Sequence, residues 1–416
     1  MPRPLDILAA IDAFSFSPAG GAGTFLFETA RRLVRRGHRV TVFARRREDL
    51  APGAVVDGVR FETFPGGGGA IRTILRARRH GRRVLKSARF DIVWSIHPFA
   101  QVMLPGFGWL TAVYTDMLHV MPPSLVMFIP KILLTPVHYT FLSPWGRDLP
   151  ENRRSRMIEG FVKARLERIA VLRAERFTVL SRYSRSDLVN LHPVDPKAIA
   201  VVPGGVDLDR FRPVPDRREL RRALNIGDKD VLFLTVRRLV SRMGLLELVR
   251  AFERVVRKEP AARLVIGGEG PLRPELERAV AAAGLTERVT IVGFIPSDDL
   301  PRWYAAADAF VLPTQALEGF GLVILEAMAC GTPALGTPAG AIPETLAAFD
   351  ADMLLDGVTP DDIATGILKF LGRRAEWEML RRRSREFAEG YAWDRTAEGI
   401  ERELFKTIGT EDTRDS

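Results

Sequence analysis

The 416-residue chain has little that would staple or anchor it. Its single cysteine, Cys330, excludes an internal disulfide framework and any metal cluster built on thiolates, as suits a reducing cytosol. Cys330 lies on the apolar side of a helical pattern and reads as a small core residue. The opening MPRPLDILAAIDAF enters a strand pattern directly, without the basic region, long apolar run and cleavage site of a signal peptide. No stretch approaches the roughly 18 uninterrupted apolar residues of a membrane span. Aromatics make up only 8% of the chain and are seldom interleaved with its arginines, and no nucleic-acid motif appears, so nucleic acid is not an expected partner. The usual dinucleotide fingerprint is missing, which weakens an NAD reading. No Asp-x-Asp pair sits at a strand end, so no metal is expected.

Hydrophobic residues make up 46%, enough for two domains with their own cores. Charge is unevenly placed. Residues 1–200 hold 31 Lys and Arg against 16 Asp and Glu, a balance of +15; the remainder holds 30 against 35, or −5. The first half is therefore expected to meet something anionic, a membrane surface or an anionic acceptor. A general arginine bias is the competing reading.

The stretch from Phe310 to Pro333, FVLPTQALEGFGLVILEAMACGTP, organises the rest. A short apolar strand, Phe310–Leu312, leads through a loop to Glu318-Gly319-Phe320-Gly321 and a helix over Leu322–Ala329, stopped by Gly331 and Pro333. Amides left open at such a helix start suit a phosphate. Glu318 and Glu326 flank the turn with seven residues between them; a helix beginning near Gly319 would place Glu326 about two turns in. Carboxylates accept from paired hydroxyls. A phosphate-ready helix end between two of them describes a sugar-nucleotide site; helix capping by Glu318 and solvation of Glu326 is the plainer alternative.

This segment resembles the Glu-x7-Glu signature of the family 4 retaining glycosyltransferases (group 1 glycosyltransferases), and the resemblance extends over nearly the whole chain. It implies an α/β chain of GT-B architecture, two Rossmann-like domains facing a cleft. The corresponding division is 1–205 for an N-terminal acceptor-binding domain, 206–385 for a C-terminal donor domain, and 386–416 for a terminal helix crossing back to the first.

In the first half, Leu5–Ala10, the Gly-rich turn Ser17–Thr24, a helix from about Thr24 to Arg36 and the strand His38–Phe43 form a β-loop-α-β unit. The resemblance assigns Gly20 and Gly21, with Gly23, to the approach of backbone to the donor; a turn requiring positive φ is the alternative for at least one of them. Residues 70–88 read as a basic amphipathic helix, for an anionic membrane or simply a solvated face. His97 ends the strand Asp91–Ile96, and the resemblance turns it toward the reacting sugar; a structural histidine competes. Asp116 follows the strand Leu110–Thr115 at a carboxyl end of the sheet and is the acceptor-site candidate. Residues 117–142 are apolar but broken by Pro122, Pro123, Pro130 and Pro136, an interfacial loop or core packing. The run Val201–Asp207 resembles the family's crossover, with Gly204 in place of Asn, and Phe211–Pro215 reads as the linker.

In the second half, Arg237-Arg238-Leu239-Val240-Ser241-Arg242-Met243-Gly244 resembles Gly-Arg-Leu-Val-x-x-Lys-Gly. Arg238 inherits the diphosphate role. Met243 stands where Lys is expected and Arg237 replaces Gly; Arg242 or Arg237 is left to supply the missing charge. Backbone near Ile295 inherits the nucleobase, and Gly340 with Glu344 resembles a Gly-Gly-x-x-Glu element. The implied catalytic set is Glu318, His97 and Arg238. The implied donor set is Gly20, Gly21, Arg238, Arg242, Ile295, Glu318, Gly319, Phe320, Gly321 and Glu326.

The implied activity is retaining transfer of a hexosyl group from a nucleotide-diphosphate sugar, a UDP-sugar in preference to a GDP-sugar, to a glycan, lipid-linked or small-molecule acceptor. Its setting would be cell-envelope or polysaccharide biosynthesis, cytoplasmic or peripheral at the inner face of the membrane. No cofactor beyond that co-substrate is expected. An epimerase acting on a UDP-sugar, or a non-catalytic nucleotide-sugar-binding protein, stays open.

Overall fold

A computed structural model of the protein describes residues 3–14, 20–46, 50–65, 70–96, 136–142, 164 and 167–409. The chain divides into two compact units, one of Met1–Leu180, Ser184–Val202 and Thr396–Ser416, the other of Ser181–Tyr183 and Pro203–Arg395.

The first unit is built on an eight-stranded sheet in the order β3-β4-β2-β1-β5-β6-β7-β8. The strands are β1 Asp6–Ala13, β2 Arg39–Arg45, β3 Ala54–Val56, β4 Val59–Phe64, β5 Ile92–Ser95, β6 Val137–Phe141, β7 Arg176–Val179 and β8 Ile199–Val201. Every pairing is parallel except β3 with β4. Parallel strands need both faces covered, which explains why β5 and β6 are buried at every residue. Helix α1, Gly21–Arg35, covers one face with the stripe Phe25, Leu26, Thr29, Ala30, Leu33 at helical spacing. Helix α2, Ala70–Ser87, turns Ala77 and Val84 into the same apolar cluster as Phe43 and Phe64, with Leu85 packed against it. Arg76, Arg79, Arg82, Arg83 and Lys86 are left on its exposed side. The apolar side of α2 is thus spent on the core within this stretch.

β6 decides between the two sequence readings of 117–142 for its own five residues: they are core packing, a fully buried interior strand, and not loop. Pro136 precedes the strand instead of interrupting it, which a parallel ladder tolerates. The remainder of that stretch, the strand over 110–115 and the Gly66–Gly69 loop lie outside the described residues.

The last helix, Trp393–Thr407, belongs to the first unit from Thr396 onward. Buried polar groups hold it there. The Leu5 N–H donates to His38 Nδ1 (3.0 Å), which assigns the ring proton to Nε2, and Nε2–H donates to Glu401 Oε1 (2.8 Å). Arg36 adds bonds from Nε (2.9 Å) and Nη2 (2.6 Å) to Glu401 Oε2. On β6, His138 Nδ1–H donates to Thr407 Oγ1 (2.9 Å), whose own hydroxyl donates to the Glu403 carbonyl. His138 Nε2 accepts from Thr178 Oγ1 (2.6 Å). Burial pushes His138 down to about 3, so the ring stays uncharged.

The second unit carries a five-stranded, all-parallel sheet in the order β11-β10-β9-β12-β13. Its strands are β9 Val231–Val236, β10 Ala262–Gly267, β11 Val289–Gly293, β12 Ala309–Leu312 and β13 Ala334–Gly336. The order reverses between β9 and β12. In open parallel sheets ligands bind outside the carboxyl ends of the strands at that reversal. Asp308 fastens the other end of the same two strands: it accepts from the Leu232 N–H (2.8 Å), from Arg217 Nη2 (2.6 Å) and from Arg221 Nη1 (3.1 Å).

Candidate active site at the carboxyl ends of the second sheet

Two segments leave the sheet at the reversal: Arg237-Arg238 after β9, and Pro313-Thr314 after β12. The β12 segment runs through Glu318 to the helix Leu322–Ala329, which begins three residues later than the Gly319 start considered from sequence. Glu326 therefore lies in the second turn, not two turns in. Gly321 precedes the helix with φ +86° and no side chain caps it. Gly340, at φ +61°, lets its segment pass against the Glu318 backbone: a Cβ there would collide with the Glu318 carbonyl, which also accepts from the Ala341 N–H (2.9 Å).

Glu318 is not solvated. Arg237 Nη2 donates to its Oε2 at 2.5 Å, with the two side chains only 9% and 14% exposed. Arg237 Nη1 donates to Thr314 Oγ1, and the Arg237 N–H is tied to the Gly267 carbonyl on β10 (2.9 Å). The residue standing where the resemblance places glycine thus braces the first glutamate of the pair. Arg238 is exposed, and Arg242 Nη1 donates to the carbonyls of Leu317 (3.3 Å) and Ala316 (3.5 Å), in the loop leading to Glu318. Met243 is buried at 4% exposure.

Glu326 accepts from the hydroxyl of Tyr304, a fully buried side chain, at 2.9 Å. Burial pushes the Glu326 carboxyl up from the ordinary value; the Tyr304 bond and the nearby Arg210 charge oppose that shift without cancelling it. Arg210 also lies over the Phe211 ring, 5.0 Å from its centroid, and donates to the Ser297 carbonyl. Tyr304, Thr314 and Arg210 escaped sequence reasoning. The only signal for Tyr304 was an aromatic in the short helix before β12, which reads equally as core.

The remaining candidates fall as follows. Ile295 is buried with its side chain toward Gly267, so only its backbone is available to a ligand. The Gly319 carbonyl accepts from Ser181 Oγ (2.8 Å), and Phe320 is buried, its ring 6.3 Å from that of Tyr391. Glu344 accepts from the backbone N–H groups of Arg182 (2.9 Å) and Tyr183 (2.6 Å). Gly20 and Gly21 open α1 in the first unit, at the carboxyl end of β1, where that sheet's own order reverses between β1 and β5. Neither they nor Gly23 takes positive φ, contrary to the turn alternative. Gly20 is extended, and a Cβ there would meet open space. His97 and Asp116 lie outside the described residues. Cys330 is fully buried and its thiol is pushed up to about 12, mainly by burial. Among the described residues no cluster of three or more His, Cys, Asp or Glu side chains is arranged to hold a metal ion, and no helix is long and apolar enough to cross a membrane.

Comparison with known proteins places these features in context. Residues 216–387 match the family described as glycosyl transferases group 1, and residues 19–210 match glycosyltransferase family 4. A GDP-mannose-dependent alpha-(1-6)-phosphatidylinositol monomannoside mannosyltransferase of Mycolicibacterium smegmatis is 36% identical over 201 residues. That match spans 47% of this chain and about half, 52%, of the relative. A D-inositol 3-phosphate glycosyltransferase of Geodermatophilus obscurus is 29% identical over 95% of this chain and 86% of its own length. Among solved structures, a sucrose-phosphate synthase from Thermosynechococcus elongatus superposes with a TM-score of 0.77 at 20% identity, covering 97% of this chain and 99% of that one. This last likeness is one of fold.

Proposed function

This chain belongs to the group 1 glycosyltransferases, and from that premise we propose that it moves a hexosyl group from a nucleotide-diphosphate sugar to a lipid-linked or glycan acceptor, with retention of configuration. The observation that carries this reading is the pair Glu318 and Glu326 at the reversal of the second sheet, on either side of an uncapped helix start.

In this reading Glu326 accepts from the ribose hydroxyls and Glu318 from hydroxyls of the donor sugar. Arg238 and Arg242, with amides of the Gly319–Gly321 turn, face the diphosphate, and backbone at Ile295 faces the base. Charge gathering on the departing diphosphate is balanced by guanidinium groups and by the start of the helix Leu322–Ala329. Among the described residues no carboxylate is placed as a covalent nucleophile. Transfer on the front face, with the departing phosphate taking the acceptor's proton, is therefore the mechanism proposed. His97 and Asp116 are proposed for the acceptor side.

The relatives guide the substrates. One is named for GDP-mannose and a phosphatidylinositol mannoside, the other for inositol 3-phosphate. An acceptor with a charged or lipid-borne inositol head suits the basic first half, and both GDP- and UDP-sugars belong among the donors tested. The exposed basic side of α2 supports peripheral docking on an anionic membrane by charge, without insertion. Sedimentation with anionic vesicles that salt reverses is the expected behaviour; no pelleting at low salt would remove that part.

A thermal-shift panel of UDP-glucose, UDP-GlcNAc, UDP-galactose, GDP-mannose, UDP and GDP tests the donor site, since a ligand that binds the folded state raises its stability. A base-selective shift lost in Glu326→Ala supports it, and no shift with any nucleotide refutes it. An inverted product anomer would sink front-face transfer.

A further inference from the structure

We propose that Arg237 is a further cation, beside Arg238, that takes the donor's diphosphate, and that its ion pair with Glu318 is a bond the nucleotide exchanges for itself on binding. The proposal rests on the donor-site reading above and deepens it. Met243, where the resemblance places a lysine, is buried and uncharged. The adjacent Arg242 directs Nη1 to the carbonyls of residues 316 and 317. Arg237 instead brings its guanidinium to the reversal itself, between the segments that leave β9 and β12, held by Thr314 Oγ1 on one arm and Glu318 Oε2 on the other.

The pairing has a physical logic. A largely buried guanidinium and carboxylate left facing each other without contact would each lack compensation, and leaving such a charge unpaired is costly. The unliganded site avoids this by closing its two charged groups on one another. A guanidinium fork matches phosphate oxygens as well as carboxylate oxygens. A diphosphate carries more negative charge than one carboxylate and so competes for Arg237. Once the arm moves to phosphate, Glu318 Oε2 loses its N–H partner and its lone pairs become available to sugar hydroxyls. Diphosphate capture and sugar capture are thereby coupled through one bond. A nucleoside monophosphate, which presents less charge, releases Glu318 less completely.

Isothermal titration of the full chain with free UDP, GDP, UMP and GMP tests this in wild type, Arg237→Gln, Arg237→Lys and Glu318→Gln. For the base the wild type binds, Arg237→Gln is expected to weaken the diphosphate by about tenfold or more and the monophosphate by much less, the scale of a lost bond to a charged group. Arg237→Lys recovers part of the loss. Glu318→Gln, which removes the competing carboxylate, tightens free diphosphate several-fold. The last result separates exchange from a purely structural brace, because damage to the loop would weaken binding. It also stands alone if the Arg237 variants do not fold. Wild-type binding with unchanged diphosphate affinity in Arg237→Gln, equal weakening of mono- and diphosphate, or weaker diphosphate binding by Glu318→Gln overturns the proposal and leaves the donor site standing. Absence of any nucleotide binding by the wild type overturns the donor-site reading and this proposal with it.

Discussion

Replacing Glu401 by glutamine should loosen the last helix from the first unit, by an amount that depends on pH. Glu401 is 4% exposed and accepts from His38 and from two nitrogens of Arg36. Burial alone would raise its carboxyl, but those donors outweigh it and bring it from the ordinary 4.5 down to about 2. At 1.36 kcal/mol per unit the drop corresponds to about 3 kcal/mol at neutral pH. Because Arg36 keeps 27% of its side chain in solvent, about 2–3 kcal/mol is the expected loss in the variant. The sign follows from the depressed value. The contribution is whole above the unfolded value near 4.5 and is lost as pH falls through the folded value near 2. His38 and Arg36 face Glu401 directly, and Glu398 shares Arg36. His138, held uncharged near the same helix, subtracts stability on its own account as pH falls from 6.5 toward 3, since the unfolded ring binds the proton first. Wild type minus variant removes that common term. A chain of two units does not unfold as one transition, so the readout is hydrogen exchange in peptides from Trp393–Thr407. The variant should exchange about fifty-fold faster at pH 7. The free-energy difference should fall below half its neutral value by about pH 3. Protection within threefold of wild type at pH 7, or a difference undiminished at pH 3, would refute the reasoning.

Three further outcomes follow from the second unit. Tyr304→Phe removes the hydroxyl that lowers the Glu326 carboxyl, so the pH at which nucleotide binding is lost on acidification should move upward, with a stability cost of about 1–2 kcal/mol; an unmoved pH profile in titration calorimetry would contradict this. Gly340→Ala forces a Cβ against the Glu318 carbonyl at positive φ, costing about 2 kcal/mol or more by hydrogen exchange in peptides of the second unit and weakening sugar-nucleotide binding, whereas wild-type behaviour would show that the turn relaxes freely. Asp308→Asn leaves Arg217 and Arg221 facing a neutral partner, and a loss of about 3 kcal/mol is expected from hydrogen exchange in peptides of the second unit; a loss under 1 kcal/mol would mean the arginines find other acceptors.

What could be read in the sequence was what local chemistry writes into neighbouring residues. Apolar strand, glycine turn and helix succeed one another within 24 residues, so the helix Leu322–Ala329 emerged with its observed bounds. Only the earlier start near Gly319, weighed for placing Glu326, does not hold, because glycine at 319 permits, but does not require, helical dihedrals. Core packing was one of the two readings of this stretch, but the strand itself was not foreseen because four prolines in one apolar run argue against regular structure, although Val-His-Tyr-Thr-Phe is itself a strand pattern. The departures at Arg237 and Met243 were visible as letters, yet their meaning was not: only the fold brings Arg237 to a carboxylate 81 residues away. The same holds more strongly for His38 and Glu401, 363 residues apart. Gly20, Gly21 and Gly23 suggested positive φ, but a helix start needs only small residues there.

Cys330 closes the helix that carries Glu326 and has no surface in contact with water. As the chain's one thiol, it can be attacked only after the end of that helix parts from its neighbours, the backbone at Arg212 and the arginines Arg381 and Arg385 among them, and its high-lying proton keeps adventitious chemistry slow until then. Labelling by a thiol reagent therefore times the opening of this segment alone, without any engineered probe. A bound nucleotide that steadies the segment will lengthen that time, so a stopwatch reading at one sulfur atom reports occupancy of the site.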